Sequence, residues 1–234
     1  MPEGIVPSLI LFVTTADTDL LTADRALEGL PAEFPEVKAF NPANLPPPGS
    51  SSNNSSSDHF SGDSSGGSSG EGTQQEILDA AAEADVVVLR LLGGKRAMPE
   101  IFDALVRLCH EKGKPLIACP GHQEWDQELV TACNVPPSEL DAVFSYLIRG
   151  GVPNFQNLFL FLSDSFLGSD YGHEAPAEVP WEGVYHPEEA DGLTAQEFVD
   201  RRFQPDRPSI AILFYRAYCV SGHLLTRCAL IRPL

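Results

Sequence analysis

A turn at the end of an apolar run carries the first residues that could bind a ligand. The run stops at Arg90, and Gly93 and Gly94 follow just before the next helix. Ligands of parallel α/β sheets collect at the carboxyl ends of strands, where backbone N–H groups at a helix start can hold an anion. Paired glycines are also typical of a tight steric corner. Because the turn matches neither G-x-G-x-x-G nor G-x-x-x-x-G-K-[ST], both interpretations stay open.

His122 is the second candidate. It follows an apolar run in the stretch CPGHQEWD, with Glu124 and Asp126 close behind it. Such a group could bind a metal or transfer protons. A merely polar loop is the alternative, since no histidine pair in the chain has the H-x-x-x-H or H-E-x-x-H spacing of zinc sites.

Composition limits the classes of partner. The chain has 234 residues, 43% of them hydrophobic, and a formal charge of -18 from 15 basic and 33 acidic residues. So acidic a surface repels nucleic acid and anionic lipid. No apolar run reaches the ~18 to 20 residues of a membrane span, and the amino terminus lacks the basic region of a signal peptide. Five cysteines without a C-x-x-C pair favour reduced thiols in a cytoplasmic protein.

The elements that would position these residues alternate between strands and helices. Apolar runs at residues 5–13 and 86–89 and the segment 115–121 predict strands, and the periodic segments between them predict helices. The fold class predicted is therefore α/β, a doubly wound, mostly parallel sheet with helices on both faces. A helical segment and the start of a second α/β unit follow, the latter from a predicted buried strand at residues 209–214.

Composition shifts predict the domain boundaries. The stretch 46–73 is dominated by serine, glycine and asparagine, which cannot bury enough apolar surface to offset its ordering entropy. The predicted organisation is an α/β domain (1–45 and 74–126), a flexible Ser/Gly-rich insertion (46–73), a helical segment (127–167), a linker (168–207) and an incomplete second domain (208–234).

Several phrases, taken in order, resemble a known family. They are TTADTDL, ADVVVLRLLGG, MPEIFDAL, PLIACPGHQEWDQEL, NVPPSELDAVFSYLIRGGVPNFQNLFLFL, GVYHPE and RPSIAILFYRAYCVSGH. The ordered set resembles the N-terminal region of the large subunit of aerobic cobaltochelatase, a relative of the large magnesium-chelatase subunit. The resemblance covers most of the chain outside the serine-rich stretch.

The resemblance implies a function. Members insert a divalent metal into a tetrapyrrole, here Co²⁺ into hydrogenobyrinic acid a,c-diamide in cobalamin biosynthesis, while separate AAA+ ATPase and adaptor subunits hydrolyse ATP. Co²⁺ is then a substrate, and no cofactor is expected in this chain. The resemblance adds Tyr215, Arg216 and His223 to the candidate ligand-binding residues.

Two departures keep alternatives open. Family members are several times longer, and residues 219–234 fit the family pattern only in part. The chain is therefore expected to be inactive alone. A non-catalytic α/β binding or assembly module that docks on partner subunits is one alternative, and a magnesium-chelatase large-subunit relative is another.

Overall fold

A computed structural model describes residues 8–46, 74–189, 193–208, 210–222, 224, 228–229 and 231. Its strands are Leu9–Thr14 (β1), Glu36–Phe40 (β2), Val86–Leu91 (β3) and Leu116–Pro120 (β4). Its helices are Asp17–Leu27 (α1), Gln74–Glu83 (α2), Phe102–Lys112 (α3), Gln127–Ala132 (α4), Pro137–Arg149 (α5), Val152–Leu162 (α6), Ala195–Arg202 (α7) and Arg216–Val220 (α8). None of the helices in these ranges is long and apolar enough to cross a membrane.

The chain forms two compact units. The first comprises Met1–Ala16 with Pro35–Pro136, and the second comprises Asp17–Phe34 with Pro137–Leu234. The domain boundaries drawn from composition stay a prediction.

The first unit contains a parallel sheet with the strand order β2-β1-β3-β4. The chain steps from β1 to one side to form β2 and then crosses back to form β3 on the other side of β1. This reversal is the hallmark of a doubly wound sheet, so the α/β fold class is confirmed. In register, Thr14 of β1 lies beside Arg90 of β3, which lies beside Cys119 of β4.

Burial explains why the strands are almost continuously apolar. Alternate β1 residues, Leu9, Leu11 and Val13, belong to a core cluster built with apolar side chains of α2, α3 and α4. Ile10 and Phe12 point to the opposite face and are also fully buried. Strands buried on both faces lack the hydrophobic–polar alternation of a half-exposed sheet.

The two described residues that flank positions 47–73, Pro46 and Gln74, are held together. The backbone N–H of Gln74 donates to the Pro46 carbonyl at 2.9 Å, and its buried side-chain amide donates to the Pro42 carbonyl at 3.1 Å. The predicted flexibility of the insertion concerns residues 47–73, which lie outside the described residues.

The connection after β3 delays the next helix. Pro99 lies before α3 and not in its first turn, where proline is common, because α3 begins at Phe102. A separate 3₁₀ turn occupies Gly94–Ala97, and Met98 leaves it with φ -144° and ψ 62°, so the chain is not yet helical when it reaches the proline.

In the second unit, α6 packs against both α1 and α5. Asparagine is a common helix cap, but α6 begins two residues before Asn154, at Val152. Asn154 is instead buried within α6, and its side chain binds the backbone of a distant segment. Its amide oxygen accepts from the Ala177 N–H at 2.8 Å, and its amide nitrogen donates to the Ala177 carbonyl at 2.9 Å.

Residues 168–181 contain no helix or strand but are fixed at several points. The carboxylate of Asp164 accepts hydrogen bonds from Ser169 Oγ at 2.7 Å and from the backbone N–H groups of Tyr171 and Gly172 at 2.9 and 3.0 Å. Burial alone would raise the pKa of Asp164, but these bonds outweigh it and lower the pKa. The charged carboxylate therefore organises the turn that follows α6.

The predicted buried strand at 209–214 is wrong for residues 210–214. They form no strand, and Leu213 is 100% exposed and Ile210 72% exposed. A strand needs a neighbour to pair its backbone, and none lies beside these residues in the described part of the chain. Before this run, α7 begins with a capping box between Thr194 and Glu197.

Candidate functional site

The turn at residues 90–94, with the adjoining ends of β1 and β4, forms what we call the strand-end corner. Hydrogen bonds within the protein hold it together. The N–H of Thr15, just after β1, donates to the Arg90 carbonyl at 3.2 Å. Thr15 Oγ1 in turn accepts from the Leu92 N–H at 2.7 Å. The N–H of Gly121 donates to the Leu91 carbonyl at 3.0 Å. These donors of the β1, β3 and β4 ends are therefore bonded within the protein.

The two glycines have different constraints. Gly93 and Gly94 both have positive φ, 95° and 64°, which residues with a β-carbon rarely adopt. A β-carbon on Gly93 would meet nothing closer than 4.0 Å, whereas one on Gly94 would lie 2.5 Å from Asp126 Oδ2. The other oxygen of Asp126 caps α4, accepting from the Glu128 and Leu129 N–H groups at 2.9 and 3.3 Å. The backbone conformation thus explains both glycines, and packing against Asp126 is a further constraint at Gly94 alone.

Two basic side chains of the corner, Arg90 and Lys95, interact with groups of the protein itself. Arg90 is half-buried on β3. Burial raises the pKa of Cys119, and the positive charge of Arg90 lowers that pKa by a smaller amount. Lys95 forms an ion pair with Asp103 at 2.8 Å and lies 5.7 Å from the ring centre of Phe102. These contacts favour the structural interpretation of the corner. A ligand-binding role for Arg90, Gly93 and Gly94 stays a prediction.

His122 lies in an exposed bend after β4. Asp126, its proposed neighbour in an acid–base group, is engaged as the helix cap of α4. Among the residues that the structure describes, no group of three or more histidine, cysteine, aspartate or glutamate side chains could hold a metal ion. A role for His122 in ligand binding is untested.

The structure places Tyr215 and Arg216 at the start of α8, and His223 lies outside the described residues. Tyr215 is 81% exposed. The guanidinium of Arg216 is fixed by three carbonyls: Nε donates to Pro180 at 2.8 Å, and Nη2 donates to Arg149 and Val179 at 2.9 and 3.2 Å.

Trp181 completes this arrangement, with the Arg216 guanidinium carbon 4.8 Å from its ring centre. No pattern in the sequence indicated these partners. Three of the contacts use backbone carbonyls, and Trp181 lies 35 residues away in a stretch predicted as a linker.

Comparison with known proteins bears on the resemblance. The family model described as CobN/Magnesium Chelatase matches residues 144–234, which include Arg149, Trp181 and Arg216. The aerobic cobaltochelatase subunit CobN of Pseudomonas aeruginosa is 28% identical over 212 residues, or 91% of this chain and 15% of that protein. An uncharacterised protein of Methanocaldococcus jannaschii is 30% identical over 155 residues, covering 64% of this chain and 12% of that protein.

A solved structure agrees with these sequence matches. The catalytic subunit of cobaltochelatase from Mycobacterium tuberculosis superposes with a TM-score of 0.63 and 27% identity, covering 97% of this chain and 15% of that one. This chain thus spans about a seventh of the length of the cobaltochelatase subunits it matches. The matches confirm the resemblance drawn from the sequence: the chain is similar to part of the large subunit of the cobaltochelatase and magnesium-chelatase family.

Proposed function

We propose that this chain is part of a cytoplasmic cobalt chelatase large subunit that inserts Co²⁺ into hydrogenobyrinic acid a,c-diamide. The observation that carries the proposal is the structural match to a cobaltochelatase catalytic subunit across 97% of the chain. The match extends through both compact units, so it rests on more than a common α/β sheet.

The proposal assigns ATP hydrolysis to AAA+ partner subunits. The chain has no G-x-x-x-x-G-K-[ST] motif for cradling nucleotide phosphates, which supports this division of labour. The task proposed for this chain is to hold part of the macrocycle and to contact the partner subunits. Because it corresponds to about a seventh of a cobaltochelatase subunit, we expect no metal insertion by the chain alone.

Macrocycle binding and metal insertion test the proposal separately. The chain is titrated into hydrogenobyrinic acid a,c-diamide, and binding is followed by the shift in the absorbance of the macrocycle. Insertion is then measured with Co²⁺, ATP, the partner subunits and the remainder of a large subunit present, and again with each component omitted. A macrocycle shift with insertion only in the complete mixture supports the proposal, whereas no shift at any protein concentration contradicts it.

Metal preference separates the two branches of the family. The family model that matches covers both cobalt and magnesium chelatases, so equal concentrations of the two metals are offered in the complete mixture. Preferential insertion of Mg²⁺ would favour the magnesium-chelatase alternative.

A non-catalytic assembly module is the second candidate. The observation that favours it is the exposed apolar stretch at residues 210–215, where Ile210, Leu213 and Tyr215 are 72%, 100% and 81% exposed. Apolar surface of this kind marks protein contacts. Capture of the ATPase partners without any macrocycle binding would support this candidate over the first.

A further inference from the structure

A groove in the second unit combines apolar walls with two arginines. Its volume is about 210 Å³. The lining residues are Phe144, Ser145, Ile148, Arg149, Glu178, Val179, Trp181 and Arg216. Sites that enclose a whole drug-sized molecule have volumes of about 300–1,000 Å³, so this groove fits one ring and a short substituent.

The two arginines differ in their charge partners. Arg149 forms an ion pair with Glu178, with Nε 2.9 Å from the carboxylate oxygen. Arg216 has no ion pair with a carboxylate in the described part of the chain, and its bonded partners are three neutral carbonyls. Burial lowers the pKa of its guanidinium, which shows that the charge is partly desolvated. An anion in the groove would compensate that charge.

The geometry of Arg216 leaves one nitrogen for such an anion. The three carbonyl bonds use Nε and Nη2, and Nη1 has no hydrogen-bond partner among the described residues. Because the bonds already fix the guanidinium plane, a ligand would not have to immobilise a flexible side chain. Hydrogen bonds from a guanidinium to a carboxylate are shorter and stronger than those to neutral acceptors.

Trp181 supplies a surface for a flat group. Its side chain is 64% exposed even though the Arg216 guanidinium lies over it. Ile148 and Val179 add aliphatic surface to the same groove. Planar rings stack favourably on an indole, and a carboxylate attached to such a ring would reach toward the neighbouring guanidinium.

We propose that this groove binds a carboxylate carried on a planar ring, with the carboxylate on Nη1 of Arg216 and the ring against Trp181. This site goes beyond the metal-insertion proposal and does not depend on it. A carboxylate arm of a tetrapyrrole is one source of this chemistry, and a free aromatic acid is the other.

Binding is tested with a pair of small probes of equal size. Indole-3-acetate carries the carboxylate, and indole-3-acetamide is its neutral counterpart. Calorimetry or ligand-observed NMR on the full chain should show the acetate binding at least about tenfold more tightly, as expected for loss of one charge-assisted hydrogen bond. Equal binding of the two probes would overturn the proposal.

Variants separate ligand binding from folding. Trp181→Leu should weaken acetate binding while circular dichroism stays unchanged, because the indole is largely exposed. Glu178→Gln should tighten indole-3-acetate binding by about two- to fivefold, since it removes a negative charge from the groove, on a side chain that is 79% exposed. Weaker or unchanged binding by Glu178→Gln would contradict the placement of the ligand carboxylate in this groove.

A third experiment distinguishes a tetrapyrrole from a free aromatic acid as the source of the carboxylate. Hydrogenobyrinic acid a,c-diamide is added to protein saturated with indole-3-acetate. Displacement of indole-3-acetate by the tetrapyrrole identifies a carboxylate of the tetrapyrrole as an occupant of the groove. Binding of indole-3-acetate without displacement identifies the groove as a site for free aromatic acids. The latter result upholds the groove even if the metal-insertion proposal fails. The groove proposal would be contradicted if a peptide with a carboxyl-terminal phenylalanine bound tightly while indole-3-acetate did not bind.

Discussion

Gly94 is expected to be the most sensitive residue of the strand-end corner. Its φ of 64° would cost a residue with a β-carbon about 1–2 kcal/mol. In Gly94→Ala the new carbon would also lie 2.5 Å from Asp126 Oδ2, so the aspartate must move. Losing its cap on α4 adds about 0.5–2 kcal/mol. We therefore expect Gly94→Ala to lower the free energy of unfolding by about 1.5–4 kcal/mol.

Gly113 provides a matched control. It has the same φ of 64°, but a β-carbon there would meet nothing within 4 Å. Gly113→Ala should therefore lose only the backbone part, about 1–2 kcal/mol. Urea unfolding followed by circular dichroism gives the free energies of both variants.

A double-mutant cycle then isolates the contact between Gly94 and Asp126. In an Asp126→Ala background the carboxylate is gone, so adding Gly94→Ala should cost no more than Gly113→Ala does. The reasoning would be refuted if Gly94→Ala and Gly113→Ala destabilised the protein equally, or if the cost of Gly94→Ala were unchanged by removing Asp126.

Four further outcomes follow from the structure. Replacing residues 47–73 with a four-residue linker should leave Tm unchanged or slightly raised, because a shorter loop has a smaller closure entropy; a large fall in Tm would show that the stretch stabilises the fold. Arg90→Ala should lower Tm, since the side chain is half-buried in the sheet; an unchanged Tm with lost macrocycle binding would instead identify a ligand site. Burial raises the pKa of Cys109 to about 11, so at pH 8 its protonated thiol should react with iodoacetamide far more slowly in the native protein than in urea, as mass spectrometry would show. Leu213→Ser should reduce self-association in analytical ultracentrifugation without changing Tm, because the leucine is fully exposed; unchanged association would place the contact elsewhere.

The parallel sheet could be predicted because its signals are local. The run Val86–Leu89 is apolar at every position, and both faces of the strand are buried in the structure. A segment of this kind, placed between two periodic helical segments, has few other solutions than a central parallel strand. The same holds for Leu116–Pro120, all of whose residues are buried.

The apolar run at residues 210–214 has the same local character but a different outcome. Residue type can indicate that a segment suits a strand, but backbone pairing depends on which other segments lie beside it. No strand neighbour is present for these residues in the described part of the chain, and Leu213 is fully exposed. Whether such a run is buried thus depends on the segments around it, and the residues of the run do not reveal those segments.

The candidate sites show the same limit more strongly. Asn154 looks like a helix cap by type, but its side chain bonds the backbone of a residue 23 positions away. Arg216 was found through the family resemblance, while its carbonyl partners and Trp181 were not. Contacts with backbone carbonyls require no particular residue type, so the sequence carries no pattern that would reveal them.

The hydrogen bond between Pro46 and Gln74 has a practical consequence. It joins the two residues that flank the 27-residue stretch 47–73, which therefore lie at neighbouring positions in the first unit. The amino and carboxyl ends of many small domains also lie close together, so such a domain can be spliced into a loop without separating the ends of the host. A fluorescent protein inserted between these two residues would make the chain visible in living cells while leaving both of its termini free.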